Sequence, residues 1–124
     1  MVKINGKQLK DLIVHILRDD AFLGVTEYYQ LSSGIKIIYS RAKKLIEELH
    51  FDGEEVSDDR LFTIGMQNFH YLNMQDFFNL IPEEVSKNQK PRIISTSSLD
   101  IIIEYLSSHH KLDYDFVERV VILD

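Results

Sequence analysis

Hydrophobic residues in the first quarter of the chain fall on a helical repeat. Leu9, Leu12, Ile13, Ile16 and Leu17 sit at i, i+3, i+4, i+7 and i+8, one apolar stripe of an amphipathic helix over 8–18 with Val14 widening it. Before it, Val2 and Ile4 alternate around Lys3 as a short strand. Asn5 is placed to cap the helix, because its side-chain oxygen accepts an orphan N–H of the first turn.

The period then shortens. Tyr28 to Leu31 reads as a short aromatic strand, Ser32-Ser33-Gly34 as a turn, and Ile35 to Tyr39 as a second strand, forming a hairpin. Arg41 to Lys44 is a basic loop. Leu45 to Glu48 reads as a strand entering the Asp52-Gly53 turn, with Val56 in the return, since Asp-Gly supplies the positive φ angles of a tight hairpin. Leu61 to Met66 predicts a buried strand and Gln67 to Asn73 an irregular polar-aromatic stretch. Met74 to Leu80 predicts a short helix ending before Pro82. Val85 to Lys90 is a polar connector, and Pro91 to Ile94 a short strand.

Ser97 with Asp100 forms a capping-box pattern. Leu99, Ile102, Ile103 and Leu106 repeat the helical stripe, ending near His109-His110-Lys111. Val117 to Leu123 closes the chain as a strand. The order predicts one α+β domain over 1–124, a layered α/β sandwich with a mixed sheet, two main helices and a buried face on each.

Composition narrows the function classes. The chain has 124 residues, 44% hydrophobic and 27% charged, which is ordinary globular usage and excludes a disordered chain. A net charge of −6 sets no field that would draw in a nucleic-acid polymer. Cysteine is absent, which removes thiolate chemistry and cysteine zinc sites. No apolar run approaches the ~20 residues of a membrane span, and no signal-peptide pattern opens the chain, so cytoplasmic and cell-surface placements both stay open.

Candidate chemistry is sparse. The five histidines are scattered, and adjacent His109 and His110 diverge on a helix rather than converge on an ion. The five glycines are isolated, so no phosphate-cradling loop exists. Acid pairs such as Asp19-Asp20 and Asp58-Asp59 lie in or beside turns as solvated charge. By its own residues the chain holds no catalytic set. One constellation stands out: Phe69, His70 and Tyr71 follow the Leu61–Met66 strand, flanked by Asn68 and Asn73. Aromatics and amides at a strand end make a stacking platform for a heterocycle, unless the rings simply seal the core.

The succession INGKQLKDLI, YYQLSSGIKIIY, ELHFDGEEV, DDRLFTIGMQNFHYLN and RIISTSSLDIIIEYL resembles the C-terminal domain of the 5'-nucleotidase family. The likeness spans essentially the whole chain and is carried by the order of the motifs. It implies a nucleotide-binding domain of a metal-dependent phosphohydrolase. The catalytic N-terminal metallophosphatase domain, a partner in the same full-length protein, would hold a pair of divalent ions of zinc or manganese type. This chain would then contain no cofactor and be inactive alone. The resemblance assigns substrate binding to Phe69, which matches the family's base-stacking aromatic, with Asn68 and His70 framing base or ribose. Where the family has GGDGy, this chain has Leu72-Asn73-Met74-Gln75-Asp76-Phe77. Both glycines are absent, and the resemblance makes Asp76, one place out of register, a remnant of the family's Asp that accepts a hydrogen bond from the substrate. The alternative is an interaction domain that has lost nucleotide binding.

Overall fold

The computed structural model describes residues 1–24, 31–91, 98–108 and 118–124. Twelve elements follow one another in these: β1 (Val2–Asn5), α1 (Gly6–Ile16), α2 (Asp19–Phe22), β2 (Ile35–Ser40), β3 (Leu45–Phe51), β4 (Glu54–Glu55), β5 (Leu61–Ile64), α3 (Asn68–Leu72), α4 (Met74–Phe78), α5 (Pro82–Ser86), α6 (Ser98–Ser108) and β6 (Val120–Leu123). The fold is α+β with a mixed sheet. Antiparallel β1 and β5 form a two-stranded ribbon, and the second sheet has the order β4-β3-β2-β6, with β6 parallel to β2 and the other pairs antiparallel.

The stripe of α1 is the centre of the core. Leu9, Leu12, Ile13, Ile16 and Leu17 are all buried, together with Val2 and Ile4 of β1, Ile37 and Tyr39 of β2, and Leu49 of β3. Fully burying one such aliphatic side chain contributes roughly 1.5–3 kcal/mol, so this stripe outweighs any surface pair in the molecule. Asn5 caps α1 as its sequence position requires. Its side chain accepts from the Gln8 backbone N–H at 2.8 Å, while the Gln8 side chain accepts from the Asn5 N–H at 2.8 Å, a complete capping box. Asn88, just beyond α5, donates to the same Gln8 oxygen at 2.8 Å and to the Lys3 carbonyl at 3.1 Å. The start of α1 is thereby tied to β1 and to a segment eighty residues further on.

Turns explain the hairpins. Asp52 and Gly53 both have positive φ, 51° and 82°, the paired left-handed conformation of a two-residue hairpin loop, and they join β3 to β4 with Phe51 opposite Glu54. The return strand is Glu54–Glu55, and Val56 lies buried just past it. β2 pairs with β3 through the Arg41–Lys44 turn, so its hairpin partner is the following strand rather than the 28–31 segment. Leu31 lies outside any strand, and residues 28–30 are outside the described residues.

Other boundaries also differ from expectation. β5 alternates exposed and half-buried residues instead of being buried throughout, because only the side that carries Phe62 and Ile64 packs against the core. The 67–73 stretch contains a helical turn, α3. Pro82 opens α5 at its first turn, where a missing N–H costs nothing, and Val85 of that helix is buried. α6 spans the expected Leu99–Leu106, yet Ile102, Ile103, Tyr105 and Leu106 are each about half exposed, at 46–54%. A stripe specifies which face of a helix is apolar, not what meets it. The expected strand at Ile93-Ile94, the Ser97 cap and His109 to Lys111 lie outside the described residues.

Candidate functional site

β5 runs into α3 through Gly65, Met66 and Gln67, and α3 carries the candidate binding residues. Asn68 is its first residue and is exposed. Phe69 follows with 61% of its surface exposed, so the ring is not a core plug. It rests tilted against Phe77, with ring centroids 5.4 Å apart, and edge-on against His70 at 5.8 Å. His70 in turn meets Phe77 at 5.2 Å, nearly perpendicular, and Phe78 at 5.5 Å. Tilted and edge-to-face contacts of this kind are the favoured arrangements of neighbouring rings. One face of the cluster is thus anchored on buried Phe78, and the other, led by Phe69, meets solvent.

Two short connections hold the cluster together. Asn73, between α3 and α4, donates its Nδ2 hydrogen to the Phe69 carbonyl at 2.9 Å. α4 ends at Asn79 in the left-handed conformation, φ 54°. There the Leu80 N–H reaches back to Met74 at 3.2 Å and the Asn79 N–H to Gln75 at 3.0 Å, a helix stop for which Asn is one of the few tolerated residues. Below, the His15 Nε2 lies 2.8 Å from the Asp76 carbonyl oxygen, fastening α4 to α1.

Of the four residues assigned from the sequence, Asn68, Phe69 and His70 are consecutive on α3. Asp76 lies on α4, and its carboxylate is exposed and makes no hydrogen bond among the described residues; its backbone carbonyl, not its side chain, has the structural contact. Tyr71 is half-buried beside the core. Phe77 and Phe78, which complete the cluster, escaped the sequence reading. Their signal was the adjacency of two phenylalanines in the 74–80 helix, one of which must leave the core face. Among the described residues no three of His, Asp or Glu converge as metal ligands.

A second concavity lies elsewhere. Val14 and Arg18 at the end of α1, Asp19 and Asp20 at the start of α2, Tyr39 of β2 and Lys44 of the β2–β3 turn line a notch of about 260 Å³. The Lys44 ammonium lies 3.1 Å from the Asp19 carboxylate, and the Arg18 Nε lies 3.6 Å from that of Asp20. Tyr39 is 2% exposed. Burial pushes its hydroxyl pKa up, Asp19 adds to the rise and Lys44 opposes it.

No family model, curated protein or solved structure matches the chain.

Proposed function

We propose that this chain is the nucleoside-binding domain of a 5'-nucleotidase-like, metal-dependent phosphohydrolase, with Phe69 as the surface on which the base stacks. The observation that carries this reading is the exposure of the Phe69 ring, at 61%, while its edges are braced by His70 and Phe77. A braced, open ring is already ordered before a ligand arrives, so stacking loses little conformational entropy. Asn68 beside it supplies an amide able to donate and accept hydrogen bonds. The described residues do not offer a ligand set for the metal pair, and no hydrolytic step is assigned to them. Their part in this reading is to hold the nucleoside for a metallophosphatase domain of the full-length protein.

The test is a titration of the chain with adenosine and with AMP, followed by NMR at the Asn68–Phe69–His70 amides. A single aromatic–base stack is worth roughly 1–3 kcal/mol, so binding is expected no tighter than about millimolar, where ~4 kcal/mol is required. Phe69→Ala should abolish the shifts. Shifts that persist in Phe69→Ala, or no shifts at all, reject the reading.

A second reading, an interaction domain without nucleotide binding, has one observation in its favour. Leu72 is 70% exposed three residues after Phe69, on the same side of the helical turn, and an aliphatic neighbour suits a protein surface better than a base. Loss of partner binding in Leu72→Ser, without nucleoside binding in the parent chain, would select it.

A further inference from the structure

We propose that Asp52 is a site of spontaneous covalent modification: the exposed Asp52-Gly53 turn converts aspartate to isoaspartate, while the fold keeps the equally glycine-linked Asn5 intact. Asn5-Gly6 and Asp52-Gly53 are the two places where glycine follows Asn or Asp in the chain. Glycine has no Cβ to keep its backbone nitrogen away from the preceding side chain. At Asp52 the Gly53 nitrogen bonds to Cγ, the carboxyl C–OH bond breaks, and the hydroxyl leaves as water with the amide proton. Water then opens the five-membered imide. Cleavage between nitrogen and Cγ returns aspartate. Cleavage between nitrogen and the main-chain carbonyl carbon leaves the chain running through Cβ and Cγ, which is isoaspartate. One water leaves and one enters, and nothing is oxidised or reduced. At Asn5 the same ring closure expels ammonia, and it needs no protonated carboxyl, so in an unfolded chain at neutral pH Asn5 is the more reactive of the two.

The fold treats the two sites differently, because ring closure in regular structure waits on local opening, whose cost runs from near zero at frayed ends to the full stability in the core. Asp52, Gly53, Glu54 and Glu55 are all exposed, and a Cβ on Gly53 would meet nothing within 4 Å. β4 is two residues long and is held by the pairs His50–Glu55 and Phe51–Glu54. The Asp52 N–H donates to the Gly34 carbonyl at 2.9 Å, and its carboxylate lies against Gly34. Just beyond the tip, buried Val56 donates to the Leu49 carbonyl at 3.0 Å, so the tip can open while the rest of the hairpin stays in place. Asp52 also has φ 51°, a region its Cβ disfavours. The aspartyl product returns to that conformation, and the isoaspartyl product, with its extra methylene, is free of it.

Asn5 has no such freedom. Its side chain accepts from the Gln8 N–H at 2.8 Å, and its own N–H donates to the Gln8 side chain at 2.8 Å. Gly6 is buried, with the Ser57 carbonyl oxygen in the space a Cβ would take. Turning the Gly6 nitrogen toward Asn5 Cγ therefore requires the first turn of α1 to unwind from the core. The damage at position 52 is equally local: an added methylene destroys the two-residue loop that sets the register of β4 on β3, and β4 comes away.

The experiment is long incubation of the whole chain in neutral buffer, beside a sample unfolded in guanidinium chloride. Isoaspartate at position 52 is read by resistance to a protease that cuts before aspartate, and conversion of Asn5 by the mass gain of amide to acid. Folding should slow Asp52 by no more than about tenfold and Asn5 by at least about a hundredfold, the ratio expected of a frayed tip against a core-anchored cap. Asp52→Asn keeps a loop of the preferred Asn-Gly type and should reach the same isoaspartate faster. Gln8→Ala, which loosens the cap, should speed Asn5 by about threefold or more and leave Asp52 unchanged. Asp52 slowed by more than tenfold on folding, or Asn5 slowed by less than a hundredfold, overturns the proposal.

Discussion

Replacing Gln8 with alanine is the sharpest probe of how this fold is tied together. The Gln8 side-chain oxygen accepts two hydrogen bonds at 2.8 Å, from the Asn5 backbone and from Asn88 Nδ2. Both donors are part-buried, so Gln8→Ala leaves two N–H groups without their partner. At a net 0.5–1.5 kcal/mol per bond, less a few tenths returned by alanine's better helix propensity, the expected loss is about 0.7–2.7 kcal/mol. For a chain of this size that lowers the melting temperature by roughly 3–10 °C. Gln8→Glu is the control. It keeps the acceptor and places negative charge in the first turn, where the helix dipole adds roughly 0.3–1 kcal/mol, so it should be neutral or stabilising at pH 7. Urea denaturation followed by circular dichroism measures both. The Asn88→Ala single mutant and the double mutant complete a cycle, whose coupling should be about 0.5–1.5 kcal/mol because the two side chains share one bond. A Gln8→Ala loss under about 0.5 kcal/mol, or a Gln8→Glu loss equal to it, would refute the view that this capping network joins α1 to the α5 end.

Gly6→Ala should be far worse than helix propensity implies. A Cβ there would be driven into the Ser57 carbonyl oxygen, a backbone atom, and the strain should exceed the usual gain of ~1 kcal/mol for losing a helical glycine, leaving a net loss of about 1–3 kcal/mol. Gly65→Ala, with nothing within 4 Å, should stay within about 0.5 kcal/mol of the parent in the same denaturation assay. Asp58 makes a pH-dependent contribution: the Lys10 ammonium, hydrogen-bonded at 2.8 Å, holds its carboxyl below the ordinary value, first by that bond and then by charge, with a smaller pull from Lys7. A depressed folded-state pKa stabilises above the unfolded value and is lost as pH falls through the folded one. The difference between parent and Asp58→Asn in urea midpoint should therefore be present at neutral pH, vanish in strong acid, and shrink in high salt because the pair is exposed.

What the linear pattern carries, and what it does not, divides along physical lines. The α1 stripe and its Asn5 cap are local facts, and the structure has both; the Asp52-Gly53 hairpin is equally local. β5 is half exposed because its second face depends on what packs there, which no property of Leu61 to Met66 specifies. α3 was hidden because Asn68, His70 and Asn73 are poor helix formers, and the turn persists through contacts with Phe77 and Phe78 instead. Pro82 signalled an end correctly and a beginning silently, since the same rigid φ suits both. At the candidate site, Phe69 and its exposure fit a platform at a strand end. The notch was illegible: Asp19 and Lys44 lie on different elements, and only the β2–β3 turn brings the ammonium to the carboxylate.

The parallel seat of β6 beside β2 has a consequence for how the chain is made. Ile37 pairs with Val120 and Ile38 with Val121, strands about eighty residues apart in sequence. At a synthesis rate of about 5–20 residues per second, β2 leaves the ribosome roughly 4–16 seconds before its neighbour exists. Over that interval β3 can cover one edge of β2 while the other, in an apolar strand, stays open to any extended segment that passes. The hairpin closes early and the last strand closes late, so the nascent chain carries an unsatisfied edge for most of its synthesis. Until β6 pairs, the N–H and C=O groups along that edge of β2 depend on water for their hydrogen bonds.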